Sequence, residues 1–223
     1  MTYVLSDLIT RVQQRVGDTG FSTTEITNYL NDTVRDIYNE YTLPFMETSQ
    51  DYTVAIGEPD ITNSVGLPAN FVNAINLTYT SDNGERLIPY IEYRELDNEF
   101  PDAEDTNVHP ASEPQYWYTY GDIIKVYPSP STAYVVSLRY MKSPTALSGV
   151  GDIPEVPSEF EEILVVGAAY RVMQVKDYYD QAAILQNKYD EILQKMVKKY
   201  SRGQIGRPTL MRINRDGLGK AHF

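Results

Sequence analysis

Residues 153–172 read I-P-E-V-P-S-E-F-E-E-I-L-V-V-G-A-A-Y-R-V, and the fold turns on what surrounds this stretch. Pro157 ends a segment rich in Gly, Pro and Ser (144–157), and a helix is expected to follow it. Ser158 and Glu161 have the spacing of a capping box. Phe160, Ile163, Leu164, Gly167 and Ala168 share one face, whose small residues let another helix come close. A second helix is expected over about Asp180–Tyr200. Its stripe is Leu185, Tyr189, Ile192, Leu193, Met196 and Tyr200, and Glu191–Lys195 is a favourable i,i+4 pair.

A matching pair opens the chain. Leu5, Leu8, Ile9, Val12 and Val16 predict a helix over about Ser6–Val16 with Ser6 as its cap, broken by Gly17-Asp18-Thr19-Gly20. The next helix starts at a Ser22/Glu25 capping box, with Phe21 placed to staple onto Ile26. Ile26, Tyr29, Leu30, Val34, Ile37 and Tyr38 carry its apolar stripe, and Pro44 lies beyond its end. Two amphipathic helices bury little by themselves, so the terminal pairs are expected to join as one four-helix bundle.

Between them the periodicity changes to two. Strands are expected over 51–56, 72–80 (Asn73, Ile75, Leu77 and Tyr79 on one face), Glu85–Tyr90, Gln115–Tyr120, Ile123–Tyr127 and 133–141. Asp82-Asn83-Gly84 and Gly121-Asp122 are hairpin turns. Arg94–Phe100 reads as a helical turn, and Asp102–Pro114 as an acidic loop without periodicity. The class is therefore α+β. Residues 1–48 and 150–201 form the helical bundle, 49–149 an inserted antiparallel β domain, and 202–223 an extended C-terminal arm.

In that arm Gly203, Gly206, Pro208, Gly217 and Gly219 oppose a helix. Arg202, Arg207, Arg212, Arg215 and Lys220 face Asp216 alone, so the arm carries +4 of a net −12 and the preceding 201 residues carry −16. Leu210, Met211 and Ile213 are apolar without periodic partners. Two readings stand: a disordered terminus, or a docking arm that orders on a partner by strand addition, using Arg202, Arg207, Pro208, Leu210, Met211, Arg212, Ile213 and Arg215.

Composition narrows the chemistry. Apolar content of 42% and charged content of 22% are ordinary for a soluble globular chain. No apolar run is long enough to span a bilayer, and the first residues lack signal-peptide character, so a cytoplasmic product without membrane contact is expected. Cysteine is absent, which removes disulfides and thiolate sites. The two histidines, His109 and His222, sit in no nucleophile or metal motif. Asp102, Glu104 and Asp105 lack EF-hand spacing. No phosphate-binding glycine loop occurs. No catalytic, cofactor or metal residue is therefore assigned, and the chain reads as a non-enzyme. Nineteen tyrosines against six Phe and one Trp suit either interfaces or β-strands.

Four stretches carry a resemblance: G-D-T-G-F-S-T-T-E-I-T-N-Y-L-N-D-T-V-R-D-I (17–37), V-G-L-P-A-N-F-V (65–72), I-K-V-Y-P-S-P (124–130) with Y-V-V-S-L-R-Y (134–140), and residues 153–172. In this order they resemble the head-to-tail adaptor proteins of short-tailed and related bacteriophages, also called connectors or gatekeepers. The resemblance implies a structural virion protein in the neck, made in the host bacterium. It implies a ring, usually of twelve subunits, bound to the portal protein. A C-terminal extension would reach the portal or a neighbouring subunit. Nozzle or fibre proteins would attach below, and DNA would pass through the bore without specific binding. The alternatives are another neck or tail completion or terminator protein, or a carbohydrate-binding or glycosidase tail module using Tyr116-Trp117-Tyr118.

Overall fold

The computed structural model describes residues 2–17, 20–62, 65–81 and 84–204. Its elements run α1 (Leu5–Val16), α2 (Thr23–Glu40), a 3-10 turn (Pro44–Met46), β1 (Glu47–Val54), β2 (Phe71–Ser81), β3 (Gly84–Ile88), α3 (Tyr93–Glu99), β4 (Tyr116–Tyr120), β5 (Ile123–Tyr127), β6 (Tyr134–Lys142), α4 (Glu162–Val175) and α5 (Tyr179–Gln204). Apart from α3, helices and antiparallel sheets segregate along the chain, which makes the class α+β.

The helical core is built around α4. Its buried residues run from Ile163 through Ala169 without a gap and on to Val172 and Met173, so the helix is covered on nearly every side. Helices α1, α2 and α5 supply the cover. Gly167 sets how close α2 comes, because a Cβ there would lie 2.5 Å from Thr33 Cγ2 and 3.2 Å from Tyr189 Cδ2. Thr33 is fully buried, and its hydroxyl donates to Tyr29 O at 2.7 Å. Arg171 Nη1 donates to Thr33 Oγ1 (2.9 Å) and to Gly167 O (3.1 Å), while its other nitrogen pairs with Asp36. One arginine thus satisfies the polar groups where α2 and α4 touch.

The Ser22/Glu25 capping box forms as expected, with Glu25 N–H on Ser22 Oγ (3.2 Å) and Ser22 N–H on Glu25 Oε2 (2.9 Å). The other two expected caps do not form. Helix α1 starts at Leu5, so Ser6 lies inside its first turn. Its first amides are taken by backbone instead, Leu5 N–H by Asp152 O (2.9 Å) and Ser6 N–H by Val150 O (3.1 Å). Helix α4 starts after Glu161 and has no side-chain cap. The Glu161 carboxylate is fully buried and accepts Tyr3 N–H at 2.9 Å rather than folding back on Ser158.

The segment rich in Gly, Pro and Ser (144–157), expected as a linker, forms with Ser143 a strap that belongs to the helical core. Leu147 and Val156 are buried in it. Asn31 clasps Leu147 in both directions, Nδ2 to O at 3.0 Å and Oδ1 from N–H at 2.8 Å. Asp152 Oδ2 accepts Ser148 and Gly149 N–H, each at 2.8 Å, and fixes the turn whose carbonyls cap α1. Those backbone bonds hold the Asp152 carboxyl below the ordinary range.

The β region has two sheets, one ordered β1-β6-β2-β3 and one β4-β5 hairpin. Strand β1 starts at Glu47, four residues before the expected strand, because it pairs in register with β6 from Glu47↔Met141 to Val54↔Tyr134. Its polar outer positions hid it from period-two reading. The expected inward set on β2 is half corrected. Leu77 and Tyr79 do point inward, but a bulge between Ala74 and Asn76 reverses the phase, so Asn73 is exposed and Phe71 and Ala74 meet the core. On β6 the alternation holds, with Val136, Leu138 and Tyr140 buried. Strand β3 ends at Ile88 rather than Tyr90, just before Pro89. The hairpin closes one face of the large sheet. Trp117, Ile124 and Val126 pack onto Leu77, Val136 and Leu138. Its far side is covered by α3 and the following loop through Leu96, Phe100 and Ala103.

The crowding at Gly167 predicts that Gly167→Ala destabilises the chain by about 1–3 kcal/mol. Thr33→Ser, which removes the methyl nearest the new Cβ, recovers part of that loss, read as a coupling in a double-mutant cycle of urea unfolding. Asp152 predicts a pH dependence. Its folded pKa is lowered, so its contribution is present above the unfolded carboxylate value of about 3.9 and is lost as pH falls through the lower folded value. The stability gap between the parent chain and Asp152→Asn should therefore shrink between about pH 5 and pH 2.

Candidate interaction surfaces

The groups that could carry chemistry are engaged in packing. His109 Nδ1 lies 2.9 Å from Tyr127 Oη and Nε2 lies 3.0 Å from Pro101 O, so both ring nitrogens are occupied. Glu104 Oε1 accepts from Lys125 Nζ (2.6 Å) and Tyr118 Oη (3.1 Å). The lysine holds the Glu104 carboxyl below its usual range, while burial beside that carboxylate raises the Tyr118 phenol. Asp105 caps the turn at Asn107 N–H (2.8 Å), which lowers its pKa as well. Among the described residues no three His, Asp or Glu side chains are grouped to hold a metal ion. No described helix is long and apolar enough to cross a membrane.

Tyr116-Trp117-Tyr118 does not make a stacking platform for sugars. Trp117 is 4% exposed and faces the sheet core, and Tyr118 is 1% exposed on the opposite face, under α3. A hairpin sandwiched between two layers has no open face at its centre. Tyr90 and Tyr120, at its margin, are the exposed aromatics.

Three surface features remain. The first is a groove of about 780 Å³ between the start of β2 and the β4–β5 turn. Leu67, Phe71, Val72, Ile75, Trp117 and Ile123 are among its walls, with Tyr90 on the rim and Asp122 at one lip. Val72, Tyr90 and Ile123 are exposed. The β2 bulge opens this groove by turning Val72 and Ile75 away from the regular pleat. No local sequence signal marked it, since it joins residues some fifty positions apart.

The second is the α4–α5 turn. Val175 (62% exposed), Tyr178 (55%), Tyr179 (63%) and Ile184 (69%) form an apolar knob. Asp177 has φ +59°, where glycine is usual. Tyr178 N–H bonds to Met173 O (3.0 Å) and Asp177 N–H to Gln174 O (3.1 Å), which is a Schellman ending with Asp in the glycine position. Asp177 Oδ1 accepts from Tyr179 Oη at 2.6 Å and fixes that ring. The sequence signal was available: Tyr178-Tyr179 occupies a helix turn where polar residues are expected.

The third is acidic. Glu92, Glu95, Asp97, Glu99, Asp102 and Asp105 are exposed along α3 and its loop, with Arg94 the one base of that segment. Of the expected arm residues, Arg202 falls in α5, which runs through Gly203 to Gln204. Arg207, Pro208, Leu210, Met211, Arg212, Ile213 and Arg215 lie outside the described residues.

The positive φ at Asp177 makes Asp177→Gly a stabilising change of about 0.5–1 kcal/mol. Thermal unfolding of that variant beside Tyr179→Phe, which deletes only the hydroxyl bond, separates backbone relief from the lost contact. A family model described as SU10 adaptor protein matches residues 1–212. No curated protein matches the chain.

Proposed function

The chain belongs to the SU10 adaptor protein family, a bacteriophage structural adaptor, and from that premise we propose that it is one subunit of a ring joining the portal to the tail. The virion is its place of action, and portal and tail proteins are its partners. The observation that carries the reading is that the family match runs through the helical core, the β region and on to residue 212. In this reading the ring has twelve subunits. Residues 1–48 and 150–201 act as a four-helix bundle, 49–149 as a β domain carried on it, and 202–223 as the arm that grips the portal.

Three features support it. The α4–α5 knob is an exposed apolar surface of the kind that marks a contact with a neighbouring subunit. The body carries −16 and the arm +4, a polarity that orients one subunit against another. Acids along α3 would keep a DNA bore from holding phosphate, since nucleic-acid affinity rests on basic contacts. Arg202 at the end of α5 and Arg207, Arg212 and Arg215 beyond it supply charge, and Leu210, Met211 and Ile213 supply apolar contact.

Deleting residues 205–223 should leave the far-ultraviolet circular dichroism spectrum close to that of the full chain. Portal binding should fall at least tenfold, scored by negative-stain images and native mass of the mixture. Full binding by the truncated chain would remove the arm from the proposal. The absence of rings, with or without portal, would remove the ring itself.

A further inference from the structure

The groove beside Trp117 is apolar, open and unfilled by any described residue. A candidate occupant must be apolar, must reach it and must tolerate its charge. The α4–α5 knob of a second copy is apolar, but it brings Asp177 and Asp180 toward Asp122, and like charges oppose that contact.

Residues 205–223 of the same chain meet all three conditions. Helix α5 ends at Gln204, one turn beyond Tyr200, whose ring centroid lies 5.4 Å from that of Phe45. Phe45 leads directly into β1 at Glu47. Glu47 pairs with Met141 on β6, and Met141 pairs with Asn73 on β2, a groove residue. Two strand spacings, about 10 Å, therefore separate Glu47 from the groove wall at Asn73. Leu210 stands six residues past Gln204 and Ile213 nine, extended spans of about 20 Å and about 30 Å, comparable with the path from the end of α5 past Phe45 and across two strands to the groove.

Charge favours the same occupant. Arg207, Arg212, Arg215 and Lys220 against Asp216 give residues 205–223 a net +3, whereas residues 47–142 hold fifteen acids and five bases. Asp122 at the lip makes no ion pair among the described residues. An attached segment also needs little intrinsic affinity, because a short tether holds it at an effective concentration in the millimolar range.

We propose that, in the unassembled subunit, this groove is the resting site of the chain's own residues 205–223, with Leu210, Met211 and Ile213 seated against Phe71, Val72 and Ile123. Its consequence rests on the arm reading given above: the arm is parked until a partner competes for it, and its apolar triad is kept from other copies meanwhile.

The chain has no cysteine, so an engineered pair reports one contact. In the dilute full chain, Val72→Cys with Met211→Cys should cross-link within one molecule under a short bismaleimide. The yield should be several-fold above that of Leu87→Cys with Met211→Cys, because Leu87 lies on the opposite, outer face of the sheet. Adding Ile123→Asp should lower the first yield to the control level. As a check free of cysteines, Leu210→Asp with Met211→Asp should raise acrylamide quenching of Trp117, the sole tryptophan. Equal yields for the two pairs with unchanged quenching would overturn the proposal. Cross-links found only between molecules would overturn it too, and would place the segment on a neighbouring copy. No portal is present in the assay, so either failure leaves the adaptor reading standing.

Discussion

The contact between Gly167 and Thr33 is the constraint from which the rest of the architecture follows. A helix buried on nearly all sides needs neighbours on all sides. Helix α4 obtains them only because α2 comes within a missing Cβ of it and because Arg171 satisfies the hydroxyl and carbonyl trapped there. The two halves of the helical core come from opposite ends of the chain, so this contact also fixes where the β region begins and ends. The strap over residues 143–157 completes the enclosure, capping α1 with its own carbonyls.

That arrangement explains what could be read in advance. Stripes such as Leu5-Leu8-Val12 and Ile26-Leu30-Val34-Ile37 are local, and each gave its helix. So did the alternation on β6. The misses share a cause of another kind. Ser6 and Ser158 sit at good capping positions, but the strap and Tyr3 supply long-range partners that set the real helix starts. Strand β1 is polar on its outer side and is a strand because β6 pairs with it. The β2 bulge flips Asn73 outward through cross-strand geometry that one strand alone does not encode. Of the interaction surfaces, the charge split was plain in composition. The groove was not, because it is assembled from β2, β4 and β5. The Tyr178-Tyr179 knob lay in plain view, its meaning hidden until both rings proved exposed.

The β region is layered, with an open sheet face, the four-stranded sheet, the hairpin, and α3 with its acidic loop. Each layer buries the one before it, so Trp117 and Tyr118 serve packing rather than recognition. The surfaces left open lie at the margins: the groove where the bulge parts the layers, the carboxylates of α3, and the turn at Asp177. An adaptor between two larger assemblies is well served by such a division, since a stiff interior keeps separate contact surfaces at fixed distances.

The pairing of Glu47 with Met141 has a mechanical meaning. The β region leaves the helical core through β1 and returns through β6, and these two strands are antiparallel neighbours anchored at the same end. A pull that draws the β region away from the helices is shared by two backbones side by side, both stretched in the same direction. Their eight register pairs are then neither sheared past one another nor unzipped one at a time. The junction behaves as a doubled cord, and a load applied to the β region reaches α2 and the strap along covalent chain before any hydrogen bond in the ladder must yield.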